Sequence, residues 1–209
     1  AATGNLRHCS VKYGGGTYGN IYCTSEMLIV DSCSIDSSAT NGITLTNASA
    51  VLTLQNSTVN GNRGYPLKMH PNVDISQVLD NTTANNDSGN CCLITAGNIT
   101  ENRIWPGANH LKYKIGGDIY VRYTSSTACT LMVLPGSTIG FISGASLFIG
   151  YSYYGHNKGV LIAQGTKDST IAFTSAANSP APGSWNGIYF YPAATGNLRH
   201  CSVKYGGGT

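Results

Sequence analysis

The sequence predicts an all-β fold, a parallel β-helix, and three observations predict it. Short apolar stretches with strand-like alternation return at a constant step of 24 residues. The corners between them are rich in Gly, Asn and Ser, and no i, i+3, i+4 stripe is present. Residues 1–17 and 193–209 are the same seventeen letters, AATGNLRHCSVKYGGGT, an offset of 192 (193 − 1). Composition agrees: of 209 residues 41% are hydrophobic, which excludes a disordered chain, while only 10% are charged and 26 are Gly.

The first strand series aligns Leu6–Val11, Val30–Ile35, Leu54–Val59 and Val78–Thr83, with starts 24 apart (30 − 6, 54 − 30, 78 − 54). The second follows each of these, with apolar residues two apart at 21/23, 43/45, 65/67 and 91/93. The third precedes the first series: Leu28–Val30, then Val51, Leu52 and Leu54, then Val73 and Ile75. A chain that returns to the same place after 24 residues stacks equivalent positions one strand spacing apart, about 4.8 Å. The stretch 95–118 breaks this pattern and reads as an irregular excursion. Beyond it, alternation resumes at 119/121, 131/133, 139/141, 147/149, 160/162, 171/173 and 188/190. The expected organisation is one tandem unit over 1–192, divided into regular coils (1–94), the excursion (95–118) and a second β-helical part (119–192). Residues 193–209 then begin the next identical unit. A 24-residue pitch gives about 7–8 coils per unit and a rise of about 34–38 Å.

Four pieces carry a resemblance: L-I-A-x-G-T at 161–166, I-A-F-T-S at 171–175, W-N-G-I-Y-F at 185–190 and L-x-H-C-S-V-x-Y-G-G at 198–207. In them the chain resembles extracellular right-handed parallel β-helix repeat proteins of bacterial and archaeal cell surfaces. The resemblance covers most of 1–95 and 119–209. It implies a right-handed solenoid and an extracellular or cell-surface location. It does not choose an activity, because this architecture serves surface fibres, adhesins and polysaccharide-degrading enzymes alike.

Without the duplicated tail the seven cysteines become six: Cys9, Cys23, Cys33, Cys91, Cys92 and Cys129. Cys23, Cys91 and Cys129 fall on interior positions of the alternation, where Cys acts as a small hydrophobe. Cys9 and Cys33 lie one turn apart, so a disulfide between them is a candidate, although stacking near 4.8 Å slightly exceeds the spacing such a bond prefers. No paired C-x-x-C motif suggests zinc. The acids, including Asp31 and Asp80, do not stack in adjacent coils as a glycan lyase or hydrolase would need. His8, Ser32, Asn56 and Asp80 form one column, read as a corner ladder rather than a triad. Catalytic residues, metals and cofactors are therefore not expected. The sequons at Asn47, Asn56, Asn81, Asn86 and Asn98 are candidate glycosylation sites. Tyr151, Tyr153, Tyr154 and His156 form a candidate sugar-stacking or lateral-contact loop.

Removing Arg199 and Lys204 from the 12 basic residues leaves 10 against 9 acids per unit, so no nucleic-acid footprint is present. No signal peptide or membrane-inserting run occurs; in an array both would lie elsewhere in the precursor. The expected function is a structural repeat of an extracellular filament, continuing head-to-tail with identical neighbours as partners. Its junction residues would be Leu6, Val11, Leu198 and Val203. A glycan-binding adhesin domain and a polysaccharide lyase or hydrolase are the alternatives.

Overall fold

The computed structural model describes residues 3–107, 112–123, 128–151, 158–192 and 194–208. These residues form parallel β structure without a helix, consistent with a parallel β-helix. Accordingly no helix among them is long and apolar enough to cross a membrane. The chain divides into two compact units: Ala1–Ile94 with Asn109–Lys112, and Thr95–Ala108 with Tyr113–Thr209.

Unit 1 holds four coils of three strands. They are β1 (Thr3–Arg7), β2 (Ser10–Lys12) and β3 (Ile21–Cys23); β4 (Met27–Asp31), β5 (Ser34–Asp36) and β6 (Ile43–Leu45); β7 (Val51–Gln55), β8 (Thr58–Asn60) and β9 (Leu67–Met69); β10 (Asp74–Leu79), β11 (Thr82–Ala84) and β12 (Cys91–Ile94). Every third strand pairs in parallel, giving the stacks β1-β4-β7-β10, β2-β5-β8-β11 and β3-β6-β9-β12. The expected column is present: Leu6 faces Val30, Val30 faces Leu54 and Leu54 faces Val78. Val30 and Leu54 are fully buried, each contributing about 1.5–3 kcal/mol by leaving water.

The second series holds at 21/23 and 43/45 but shifts by two residues in the third coil and by one in the fourth. Ile43 pairs with Leu67 and Leu45 with Met69, so the inward pair of the third coil is 67/69, not 65/67. Pro66 has no N–H for a ladder; its carbonyl ends the corner by accepting from Ile43 N–H at 2.9 Å. In the fourth coil Cys92 and Ile94 point inward, so Cys91 is only half-buried. Four consecutive apolar residues, Cys91–Ile94, leave alternation unable to choose between the two faces.

Unit 2 repeats the three-strand plan: β13 (Gly97–Ile99), β14 (Arg103–Trp105) and β15 (Lys112–Ile115); β16 (Ile119–Val121), β17 (Cys129–Val133) and β18 (Thr138–Phe141); β19 (Ser146–Ile149), β20 (Gly159–Gln164) and β21 (Ile171–Ser175); β22 (Gly187–Phe190), β23 (Thr195–Arg199) and β24 (Cys201–Val203). Its stacks are β13-β16-β19-β22, β14-β17-β20-β23 and β15-β18-β21-β24. The described residues of 95–118 form the three strands β13, β14 and β15 rather than an irregular excursion, with Ile99, Trp105, Tyr113 and Ile115 buried. In β20 the buried residues are Leu161 and Ala163, opposite Leu131 and Val133. The expected 160/162 pair faces outward, and the run GVLIA again hid the parity.

Candidate functional site

The unit 1 corners explain most of the polar candidates. His8, Ser32, Asn56 and Asp80 all have φ between 51° and 54°, the left-handed bend by which each coil turns from one stack to the next. The residue after each of the last three bends points its side chain back to the previous coil. Cys9 N–H donates to Cys33 Sγ at 3.5 Å, Cys33 N–H to Ser57 Oγ at 3.0 Å, and Ser57 N–H to Asn81 Oδ1 at 3.1 Å. Cys, Ser and Asn share one duty here, an acceptor for the amide one coil away. Cys9 and Cys33 are free thiols, each donating to the carbonyl two residues before it. A second column behaves likewise: Ser38 N–H donates to Asn62 Oδ1, and Asn62 donates to Asn86 Oδ1 through both its backbone N–H and its Nδ2.

The sequons differ in what their amides do. Asn86 is 6% exposed, and its Nδ2 donates to Val59 O, Ala84 O and Asn90 Oδ1. Asn81 Nδ2 donates to Leu54 O at 2.7 Å. Asn86 sits at a corner as expected but turns inward, because the corner amide needs its oxygen. Asn47 Nδ2 donates to Thr24 O, and Asn98 Oδ1 accepts from Arg122 Nε. Asn56 is exposed, donating to Asp31 Oδ1. Cys23 and Cys129 are buried as expected; burial pushes the Cys129 thiol up to about 11 and raises Cys92 well above the usual thiol range.

Four carboxylates are occupied with local partners. Asp31 pairs with Arg7 and Asp36 with Lys12, both at 3.2 Å, and Glu101 with Arg103 at 2.8 Å. Asp118 accepts from Ser146 N–H. Among the described residues no group of three or more His, Cys, Asp or Glu side chains could hold a metal.

An outward aromatic row crosses unit 2. Tyr120 faces Phe148 and Phe148 faces Tyr189 in register, with ring centroids 4.7 Å and 5.1 Å apart. Tyr151 meets Tyr120 edge-on at 5.4 Å and carries the Arg122 guanidinium at 4.4 Å from its centroid. Beside the row lies a depression of about 470 Å³ between Phe148, Asn186 and Tyr189. Of the expected loop only Tyr151 is placed; Tyr153, Tyr154 and His156 lie outside the described residues. Sequence reasoning missed Tyr120, Phe148 and Tyr189, because loops of unequal length separate them along the chain.

The duplicated ends form the most informative site. Both copies adopt the same local structure: strands at Thr3–Arg7 and Thr195–Arg199, then positive φ at His8 and His200 (52° and 48°), Tyr13 and Tyr205 (61° and 63°), and Gly15 and Gly207 (83° and 92°). They use opposite edges. The first copy pairs only with the coil that follows it, β1 on β4 and β2 on β5. The second pairs only with the coil that precedes it, β23 on β20 and β24 on β21. The glycines record the same division. A Cβ on Gly15 would lie 2.0 Å from Ser38 Oγ of the following coil, whereas one on Gly207 meets nothing within 4 Å. Trp185 anchors the second copy, stacking on Phe141 at 4.2 Å and donating from Nε1 to Lys204 O at 2.7 Å.

The expected junction residues lie at these open edges. Leu198 and Val203 sit above buried Ala163 and Phe173 yet remain 36% and 52% exposed, and Leu6 and Val11 are half-buried. No family model, curated protein or solved structure matches this chain.

Proposed function

We infer that this chain is a structural repeat of an extracellular or cell-surface filament, continuing head-to-tail as a β-solenoid. One observation carries the reading: two identical segments engage complementary edges, so a single copy can be sandwiched between a preceding and a following coil. In an array Leu6 and Val11 would rest on the preceding unit as Leu198 and Val203 rest on β20 and β21. Arg199 and Lys204, copies of the ion-paired Arg7 and Lys12, would reach the Asp31 and Asp36 of the next unit. Both open edges would be covered without dedicated caps.

The test is to compare chains of one, two and three 192-residue units. In a solenoid each added interface stabilises its neighbours, so the urea midpoint should rise with unit number and particles should lengthen. Identical midpoints with independent unfolding of each unit would overturn the reading. The surface location rests on the family resemblance. Protease treatment of intact source cells should remove the protein; full protection would refute that location.

The aromatic row of unit 2 favours a second reading, a glycan-binding adhesin domain. Tyr189 and Phe190, 43% and 47% exposed beside the depression, offer apolar surface suited to sugar rings. Saccharide titration monitored by tyrosine fluorescence, with Tyr189→Ala as control, decides it; no response over a broad glycan panel removes this reading.

A further inference from the structure

A second bend in unit 1 recurs at the same 24-residue step as the strands. Tyr13, Ser37, Gly61 and Asn85 hold φ at 61°, 56°, 61° and 53°. The amides of the first three donate to Asp36 O, Asn60 O and Ala84 O of the following coil, at 3.3, 3.2 and 3.0 Å, so the bends stack. Ser37 and Asn85 show that this bend does not require glycine. What Gly61 contributes is space, because a Cβ there would meet nothing closer than Ser37 Oγ at 3.9 Å. With Ser37 and Ala39 it floors a notch of about 370 Å³, walled by Tyr13 of the first coil and Arg63 of the third. Tyr13 is 83% exposed. Arg7 and Arg103 are ion-paired, and Arg122 is held by Asn98 and two rings. Exposed Arg63 has no ion pair among the described residues. Asp87 stacks one coil beyond Arg63, away from Tyr13, and does not line the notch. In the second copy of the duplicated segment, with a coil beneath it, Tyr205 keeps 38% of its surface exposed, so a preceding coil does not bury this tyrosine.

We propose that this notch binds an acidic saccharide through one hexuronic acid residue. Tyr13 offers an aromatic face to the C–H face of a sugar ring. Arg63 offers a planar fork that matches a carboxylate, and Ser37 a hydroxyl for the ring hydroxyls. Two coils separate the tyrosine from the arginine, about 10 Å at the strand spacing, which leaves room for a single ring and its carboxylate. A flat apolar ligand gains little on an open floor of Ser, Ala and Gly, and a neutral sugar leaves Arg63 unused. The site lies within one chain and is separate from the aromatic row of unit 2, so it needs neither the filament nor the adhesin reading.

The experiment titrates the full chain with glucuronate and galacturonate oligosaccharides, and with the same oligosaccharides after carboxyl reduction to neutral sugars, by calorimetry and saturation-transfer NMR. Wild type should bind at least one acidic series, lose it on carboxyl reduction, and bind more weakly as salt is added. Arg63→Gln should lower the affinity about 10–100-fold, as expected for a lost hydrogen bond to a charged group. Gly61→Asn fills the floor with the residue type that already holds this bend at position 85, so binding should disappear while the melting temperature stays near that of wild type. Absence of binding to both acidic series overturns the proposal. So does equal binding of the reduced sugars, or wild-type affinity in Arg63→Gln or Gly61→Asn. Binding that is lost in Tyr189→Ala but kept in Gly61→Asn also overturns it, and assigns the saccharide to unit 2.

Discussion

In unit 1 two of the three corner columns tie neighbouring coils through side-chain acceptors, Cys33, Ser57 or Asn81 in one and Asn62 or Asn86 in the other. Unit 2 keeps two such ties, Thr130 N–H to Asn102 Oδ1 and Ser146 N–H to Asp118 Oδ1, and adds rings, inside as Phe141 on Trp185 and outside as Tyr120, Phe148 and Tyr189. The pitch follows this difference. Partners in the β1 and β2 stacks of unit 1 are mostly 24 residues apart, as Leu6 and Val30 are. Along the β14 stack they are 28 apart (Arg103 and Leu131), 30 (Leu131 and Leu161) and 35 (Val160 and Thr195). In unit 1 the acceptors recur in two unbroken columns at a spacing of 24, whereas the two such bonds of unit 2 span 28 residues and a ring stack constrains only the strands.

The largest effect is expected where a ring holds two coils. Trp185→Ala removes a fully buried indole that also holds the carbonyl of Lys204, and should cost about 3–5 kcal/mol. Hydrogen exchange should show the destabilisation concentrated at β21, β22 and β24. An even effect across both units would mean that the ring is not a local clamp.

Next comes the corner ladder of unit 1. Asn62→Ala strips the acceptor from Ser38 N–H in a buried corner, leaving that amide unpaired at a cost of about 1–3 kcal/mol. If urea unfolding of this variant matches wild type within error, the ladder is incidental and the comparison between units fails.

These ladders also show where sequence reading stops. The column 6, 30, 54 and 78 was legible because alternation and spacing both point to buried aliphatic residues. The parity of Cys91–Ile94 and of 159–163 was not, since continuous apolar runs fit either face. The role shared by Cys33, Ser57 and Asn81 was hidden because three dissimilar side chains satisfy one amide. The strands within 95–118 were missed because they stack on the next coil at a step of 28, as Arg103 does on Leu131, rather than 24. At the ends, the sequence showed the identity of the two segments, but only the pairing showed that they use opposite edges.

A smaller effect tests the bends. Ser32 holds φ at 54°, a conformation that penalises branched side chains, so Ser32→Val should destabilise by about 1–2 kcal/mol. Asn56→Gly, at φ 51°, should keep its bend without strain. Equal destabilisation of the two variants, measured by thermal melting, would show that side-chain packing rather than backbone strain governs these corners.

The smallest effect is electrostatic, and it separates the Asn56 side chain from its backbone role. Asp31 is held below its ordinary value of 3.8, first by the hydrogen bond from Asn56 and then, against the opposing effect of desolvation, by Gln55, Ser32 and Arg7. A carboxyl whose folded-state value is depressed favours the folded chain above its unfolded value. That contribution disappears as pH falls from about 3.8 through the folded-state value. Asn56→Gly keeps the bend and deletes the donor, so the Asp31 midpoint should rise toward the ordinary range when followed by carboxyl-selective NMR. Arg7→Gln should move it less, because its exposed guanidinium is the weakest of the named causes. If Arg7→Gln produces the larger shift, the ion pair rather than the corner asparagine sets this carboxylate. The polar order of unit 1 would then extend from its corners to its outer surface by charge, not by the hydrogen-bond ladder.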